Sequence, residues 1–354
     1  MKILDRYIGT TIVTHVLVVM LVLLSMFFFS TFIRELDDIG KGSYSLGKAF
    51  AYVSLTLPRL AYQLFPIMVL IGSILGLGVL ASNSELTMIR AAGVTVARIV
   101  FSVLKVGLLL IIIATLIGEF VAPELEKYAF NMRSAALTNK ISLESKSGIW
   151  TRDGDRFVHI TDLYADGSLG NIEIYEMNNK YQLGVITRAK HAYYYDDKWT
   201  LTDITRSVIA DDKVISEKLP NMSWESLLKP DLIGVVAVNP SYLSVWGLYK
   251  YLVYLQENGL ESGHYAVAFW NKVFAPLTNG VMLFIAIPFV FGPLRSVSVG
   301  LRVVVGTLTG IGFYGLSQVS NHVGLLYGLD PVLTIILAPV VFLAGGIYFT
   351  RRIL

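Results

Sequence analysis

Apolar runs long enough to cross a bilayer come in two groups of three, and a long, mostly polar stretch separates the groups. A hydrocarbon core about 30 Å thick needs about 20 apolar residues per helix. Backbone that meets lipid must satisfy its hydrogen bonds inside its own segment. Thr11–Ile33, Leu60–Ala81 and Ile99–Ala122 meet the length requirement before the polar stretch; Val273–Phe291, Val303–Val319 and Val332–Phe349 meet it afterwards. The sequence is therefore read as a polytopic α-helical membrane protein with six transmembrane helices, 3+3, around one inserted domain. The 54% hydrophobic content agrees, since a soluble core of this size could not hide so much apolar surface.

Other features narrow the chemistry. A net charge of +3 is too small to point to nucleic acid, and the absence of cysteine removes disulfides, thiolate metal sites and Cys nucleophiles. The first apolar run is too long for the core of a signal peptide and is expected to remain as a membrane helix. No G-x-x-x-x-G-K-[ST] motif occurs, and Gly40-Lys41-Gly42-Ser43 has neither its spacing nor a strand before it, so ATP hydrolysis is not expected of this chain. The histidines His15, His159, His191, His264 and His322 are scattered, and no metal site is expected. Lys and Arg in short loops favour the cytoplasm. Lys2, Arg6, Arg90, Arg98, Arg295, Arg302, Arg351 and Arg352 then lie inside with both termini, which puts the insert outside.

Within the insert the hydrophobic period changes to two. Phe157 and His159 alternate with Val158 and Ile160, Ile172 and Ile174 with Glu173 and Tyr175, and Trp199 and Leu201 with Thr200 and Thr202. Such alternation reads as half-buried strands. Asp153-Gly154-Asp155, Asp166-Gly167-Ser168, Asn178-Asn179-Lys180, Asp196-Asp197-Lys198 and Asp211-Asp212-Lys213 are turn signals between them. A meander, a sandwich or a jelly roll fits this spacing. The expected organisation is 1–137 for the first three spans, 138–243 for a β-jellyroll-like domain, and 244–354 for an amphipathic connector over Ser244–Asn258 and the last three spans.

The loop after the second span carries the most specific motif. Ser82 and Glu85 have capping-box spacing, Leu86 and Ile89 share a helical face, and Gly93 stands where a helix would stop. The spacing predicts a short cytoplasmic helix at about 83–93, too short to be stable alone in water and therefore in want of a groove. Ser84, Glu85, Leu86, Ile89, Arg90 and Gly93 are its candidate coupling residues, with Glu85 offering an acceptor to an Arg on a partner. A tight interfacial connection without a partner is the plainer alternative.

Ser84-Glu85-Leu86 through Ala91 and Gly93 resembles the coupling helix of the LptF/LptG (YjgP/YjgQ) permeases of the lipopolysaccharide exporter. Leu4-Asp5-Arg6-Tyr7-Ile8-Gly9, Gly118-Glu119-Phe120-Val121-Ala122-Pro123 and Phe291-Gly292-Pro293-Leu294-Arg295-Ser296 are similar to that family in the corresponding places. The resemblance implies an inner-membrane permease with a periplasmic β-jellyroll-like domain and no catalytic residues of its own. It implies a heterodimer with an LptF-like permease, docking on an LptB-like ATPase dimer that uses ATP and Mg, and delivery of lipopolysaccharide to an LptC-like single-span protein and an LptA-like periplasmic bridge. Arg34, Arg59 and Arg133 are the implied contacts for the phosphorylated head group, suited to it because guanidinium binds two oxygens at once. Glu35, Asp37 and Asp38 depart from the Lys-rich first loop common in the family, which points to a divalent cation or to a different charge distribution on the lipid. Gly306, Gly310 and Gly312 in the fifth span form a small-residue face for a lateral gate or for packing, and Gly72, Gly76 and Gly78 do so in the second. Tyr193, Tyr194, Tyr195 and Trp199 either line an apolar groove or form core. A permease for another lipid or lipoprotein is a rival reading. An ion-coupled secondary transporter is another, and it would want paired ionisable groups at mid-membrane.

Overall fold

The computed structural model describes residues 3–138, 148–153, 156–164, 167–178, 182–196, 198–210, 213–224, 240, 243–291 and 297–353. Among the described residues, six helices are long and apolar enough to cross a membrane. They are α1 (Ile3–Leu36), α2 (Leu46–Ser82), α4 (Val96–Leu116) continuing through a π turn (Ile117–Val121) into α5 (Ala122–Thr138), then α7 (Gly263–Phe291), α8 (Val299–Tyr327) and α9 (Pro331–Ile353). Between α2 and α4 lies the short α3 (Glu85–Ala91), and α6 (Val245–Glu257) precedes α7. Pro58 and Pro66 in α2, Pro276 and Pro288 in α7 and Pro339 in α9 all lie inside helices. Membrane helices tolerate this because neighbouring groups re-satisfy the freed carbonyls.

The chain divides into two compact units. The first holds Met1–Thr31, Thr56–Glu124 and Ala266–Leu354; the second holds Phe32–Leu55 and Leu125–Tyr265. The second unit is thus wider than the strand-bearing stretch, taking in the ends of α1 and α2, most of α5, and α6.

The core of the first unit draws Ile8, Ile12 and Val16 from α1, Val69, Leu70 and Ile74 from α2, Ile99 and Val103 from α4, and Met282 and Leu283 from α7. Ile8, Ile12 and Val16 follow a four-residue step, so α1 buries one narrow stripe. Its other sides, with Leu21, Met26 and Phe29, are open. Glycine sets the α1–α2 spacing: a methyl group on Gly72 would come within 2.5 Å of the Val16 Cα, and one on Gly76 within 3.2 Å of the Ile12 Cα. Any larger side chain at Gly72 would push the two helices apart.

In the second unit, β1 (Ile149–Asp153), β2 (Arg156–Leu163), β3 (Leu169–Met177), β4 (Leu183–Tyr195), β5 (Lys198–Ala210) and β6 (Lys213–Trp224) form one antiparallel sheet in sequential order. The β insert is, in its described strands, a meander. Each of the five turn signals falls at a hairpin connection, although Gly154, Asp155, Asp166, Asn179, Lys180, Asp197, Asp211 and Asp212 lie outside the described residues. Ile149, Ile160, Ile172, Ala189, Ile204 and Leu219 stand opposite one another across all six strands. Helix α6 is capped by Ser244, whose hydroxyl accepts from the Gly247 amide, and it lays Tyr251, Tyr254 and Leu255 against this buried face. Trp199 and Trp224 are fully enclosed, with Tyr194 edge-on to Trp199 at 5.1 Å between centroids. Tyr193 and Tyr195 point the other way and are exposed, so the aromatic strand is half core and half surface.

A crease crosses the sheet. Asn171 in β3 (φ +50°) and Asp203 in β5 (φ +54°) are left-handed, and the paired rungs skip from Ile160–Ile172 to Asp162–Gly170, from Ile172–Ala189 to Gly170–His191, and from Ala189–Ile204 to His191–Thr202. Burial changes phase at the same place. Val158 and Ile160 are inside on one side of it and Leu163 on the other; Ile172 and Ile174 answer to Leu169, and Trp199 and Leu201 to Ile204. Asn and Asp suit the left-handed positions because their short polar side chains tolerate that region.

Candidate functional site

Helix α3 is seven residues long and begins after Ser84, whose φ of +61° is left-handed and whose side chain caps nothing. The capping box expected of Ser82 and Glu85 does not form. Ser82 is still helical, the last residue of α2, and its hydroxyl bonds back to the Gly78 and Val79 carbonyls, each at 3.0 Å. The C-terminal expectation holds locally: Gly93 has φ +87° and donates its amide to the Arg90 carbonyl. Leu86 is buried and Ile89 packs beside it in the membrane-helix core, so this apolar face anchors α3 to its own unit. Thr87, Met88, Arg90 and Ala91 face outward. Glu85 Oε2 accepts from the Tyr7 hydroxyl at 2.6 Å, and Oε1 accepts from Asn83 Nδ2 at 3.2 Å.

Arg133 and the acidic first loop come together in the second unit. Arg133 Nε donates to Glu35 Oε2 at 2.8 Å, Nη2 donates to Asp38, and the guanidinium lies 5.4 Å from the Tyr52 ring centroid. Tyr44, only 1% exposed, donates its hydroxyl to Glu35 at 2.8 Å. Burial first and then that bond push the Tyr44 hydroxyl well above the usual phenol range. The Lys41 ammonium at 2.6 Å, and then Arg133, hold the Asp38 carboxyl below the ordinary carboxylate value. Glu35 and Asp38 are therefore partners of this chain's own cations. Among the described residues no three His, Asp or Glu side chains converge as metal ligands.

Two of the remaining arginines are placed less distinctively. Arg34 is exposed in the last turn of α1. Arg59 in α2 is half-buried, with Nη1 donating to Gln63 Oε1 at 2.9 Å.

A family model described as lipopolysaccharide export system permease LptF/LptG matches residues 6–352. The chain belongs to the LptF/LptG family. The lipopolysaccharide export system permease protein LptG of Escherichia coli K12 is 36% identical over 353 residues, covering 99% of this chain and 98% of that one. The protein of the same name from Haemophilus influenzae is 33% identical over 342 residues, 96% of each chain. Six apolar helices and an inserted antiparallel sheet are the architecture of this LptF/LptG permease.

In this LptF/LptG chain, Gly306 and Gly310 of α8 face α2: a methyl on either would lie 3.3 Å from Ile71 or Ile67 respectively. They serve close packing inside the unit. Gly312 and Gly315 open to the outside of α8. Two features escaped sequence reading. Asp5, 1% exposed, accepts from Arg98 Nη2 at 3.1 and 3.2 Å and from Ser102, with Lys105 at 3.5 Å. Its signal was a carboxylate shortly before the first apolar run. Lys272 Nζ lies 3.4 Å from the Gly118 carbonyl in the π turn and 5.6 Å from the Tyr62 ring centroid. A fourth span taken to start at Val273 passed over it.

Proposed function

We propose that this chain is one permease half of an ATP-driven exporter that takes lipopolysaccharide from the outer leaflet of the inner membrane and passes it toward a periplasmic bridge. The observation that carries the reading is the match to LptG of E. coli over 99% of this chain and 98% of that one. The physical logic fits. Each CH₂ drawn from lipid into water costs about 0.8 kcal/mol, so several acyl chains exposed together would cost tens of kcal/mol. A membrane unit joined to an external β domain is a fitting way to keep the tails dry.

In this reading both termini and α3 are cytoplasmic and the sheet is periplasmic, with 1–137, 138–243 and 244–354 as the three stretches of the chain. An LptF-like subunit completes the permease. An LptB-like ATPase dimer, supplying the ATP and Mg chemistry, seats α3 through Glu85 and the outward Thr87, Met88 and Arg90, while Leu86 and Ile89 hold the helix to its own spans. LptC-like and LptA-like proteins receive the lipid. Arg34, Arg59 and Arg133 are offered to lipid phosphates, and at Arg133 a phosphate competes with Glu35 and Asp38. Gly312 and its neighbours on α8 line the gate side. Glu85→Ala tests the reading: recovery of the ATPase with the purified permease should fall, and lipid release with it. Full ATPase recovery together with normal release would refute the assignment of α3.

A further inference from the structure

We infer that the opening motif of the chain is the joint between α3 and the first membrane helix, with Tyr7 as the positioning residue that ties Glu85 to α1. The inference rests on the reading of α3 as the helix that meets the ATPase. Three residues in the first turns of α1 hold its cytoplasmic end on two sides. Asp5 is bound by Arg98, Ser102 and Lys105 of α4, and 93 residues separate it from Arg98. Gly9 lets α4 come close, since a methyl there would lie 2.7 Å from Val106 Cγ2. Tyr7 reaches across 78 residues of sequence to donate to Glu85 at 2.6 Å.

This arrangement has a mechanical reading. Only 11% of the apolar window of α1 is buried, the smallest share of the six spans, so α1 is the helix least held along its length. A rod pinned at one end and packed along one narrow stripe can tilt about the pin. Helix α3 is too short to stand alone, and its motion reaches α1 through the Glu85 carboxylate. A guanidinium arriving at that carboxylate prefers to take both oxygens, and it would share them with Tyr7 on Oε2 and Asn83 on Oε1. Docking and release of a cationic partner side chain therefore weaken and restore the Tyr7 bond, and α1 senses the state of the ATPase. Only a differential interaction of this kind shifts a two-state element.

The test uses the complete permease–ATPase complex in liposomes, comparing Tyr7→Phe, Glu85→Ala and, as a control, Thr10→Val. Thr10 sits three residues on, and its hydroxyl bonds within α1, to the Tyr7 carbonyl. In Tyr7→Phe, complex recovery, melting temperature and ATP hydrolysis are expected to match the parent, while lipid released per ATP falls about three- to tenfold, the net scale of one ordinary solvent-exposed hydrogen bond. Thr10→Val should leave that ratio unchanged. Unchanged lipid per ATP in Tyr7→Phe beside an impaired Glu85→Ala would overturn the joint and spare the coupling reading. A fully active Glu85→Ala would overturn the coupling reading itself. Loss of Tyr7→Phe during purification, or an equal fall in Thr10→Val, would assign Tyr7 to folding and overturn the joint as well.

Discussion

Replacing Glu35 by Ala probes the arginine clasp of the second unit. Glu35 Oε2 takes two bonds at 2.8 Å, from the Tyr44 hydroxyl and from Arg133 Nε. Tyr44 is enclosed, so the loss of its acceptor leaves a buried donor, a change worth about 1–3 kcal/mol. Arg133 keeps Asp38 and has 27% of its side chain in contact with solvent, so its added loss is on the order of 1 kcal/mol or less. Together these predict local destabilisation of about 2–3 kcal/mol, read as a roughly 25- to 150-fold change in an opening equilibrium. The segment to watch is the first loop. There Gly40 donates to Tyr44, Tyr44 to Lys41 and Ser43 to Ala136, the last pinning the loop to α5. Hydrogen exchange of these amides should accelerate by that factor in Glu35→Ala, with the sheet amides unchanged. Glu35→Gln, which keeps an acceptor for Tyr44 but not the charge, should fall between. Acceleration of less than about threefold at Gly40, Ser43 and Tyr44 would show that the clasp does not hold the loop, and the partition of energies above would be wrong.

Two further outcomes follow from packing and charge. Gly72→Leu should force α1 and α2 apart, because even a methyl group would meet the Val16 backbone at 2.5 Å; overpacking of about 1–3 kcal/mol predicts a lower melting temperature in detergent, and an unchanged melt would refute the close contact. Glu173 is held below the ordinary carboxylate value, first by the Tyr175 hydroxyl and then by Arg188 and His159. A folded pKa below the unfolded one contributes stability above about pH 4.3 that disappears as pH falls through the folded value. Glu173→Gln should therefore be less stable than the parent at neutral pH, with the gap closing below about pH 4; a gap that persists undiminished below about pH 3 would refute the assignment.

The spans and the sheet were legible because each rests on a period that survives in one dimension. Runs of apolar residues gave the six helices, and alternation marked the half-buried strands in which Val158, Ile160, Ile172, Ile174, Trp199 and Leu201 prove to be buried. Ser244 and Asn258 bracketed α6 because capping is local chemistry. What was not legible depends on partners far away in sequence. Leu86 and Ile89 offer the same pattern to a foreign groove as to their own core, and only the fold decides between them. Arg133 looked available to a ligand because Glu35 and Asp38 lie nearly a hundred residues away. The π turn at Ile117–Val121 leaves no mark on an apolar run, and Ser82 showed the right spacing for a cap it could not make, being still helical as the last residue of α2. The change of burial phase between Ile160 and Leu163 likewise defeats strict alternation.

That phase change has a consequence for how the strands find one another. In a flat sheet, sliding one strand by two residues returns every side chain to its proper face, so hydrophobicity alone tolerates the error. Here the slipped strand would carry its change of parity out of line with its neighbour's, and part of its apolar set would leave the buried face. The fold line works as an index mark, repeated from strand to strand, that admits a single alignment of the hairpins.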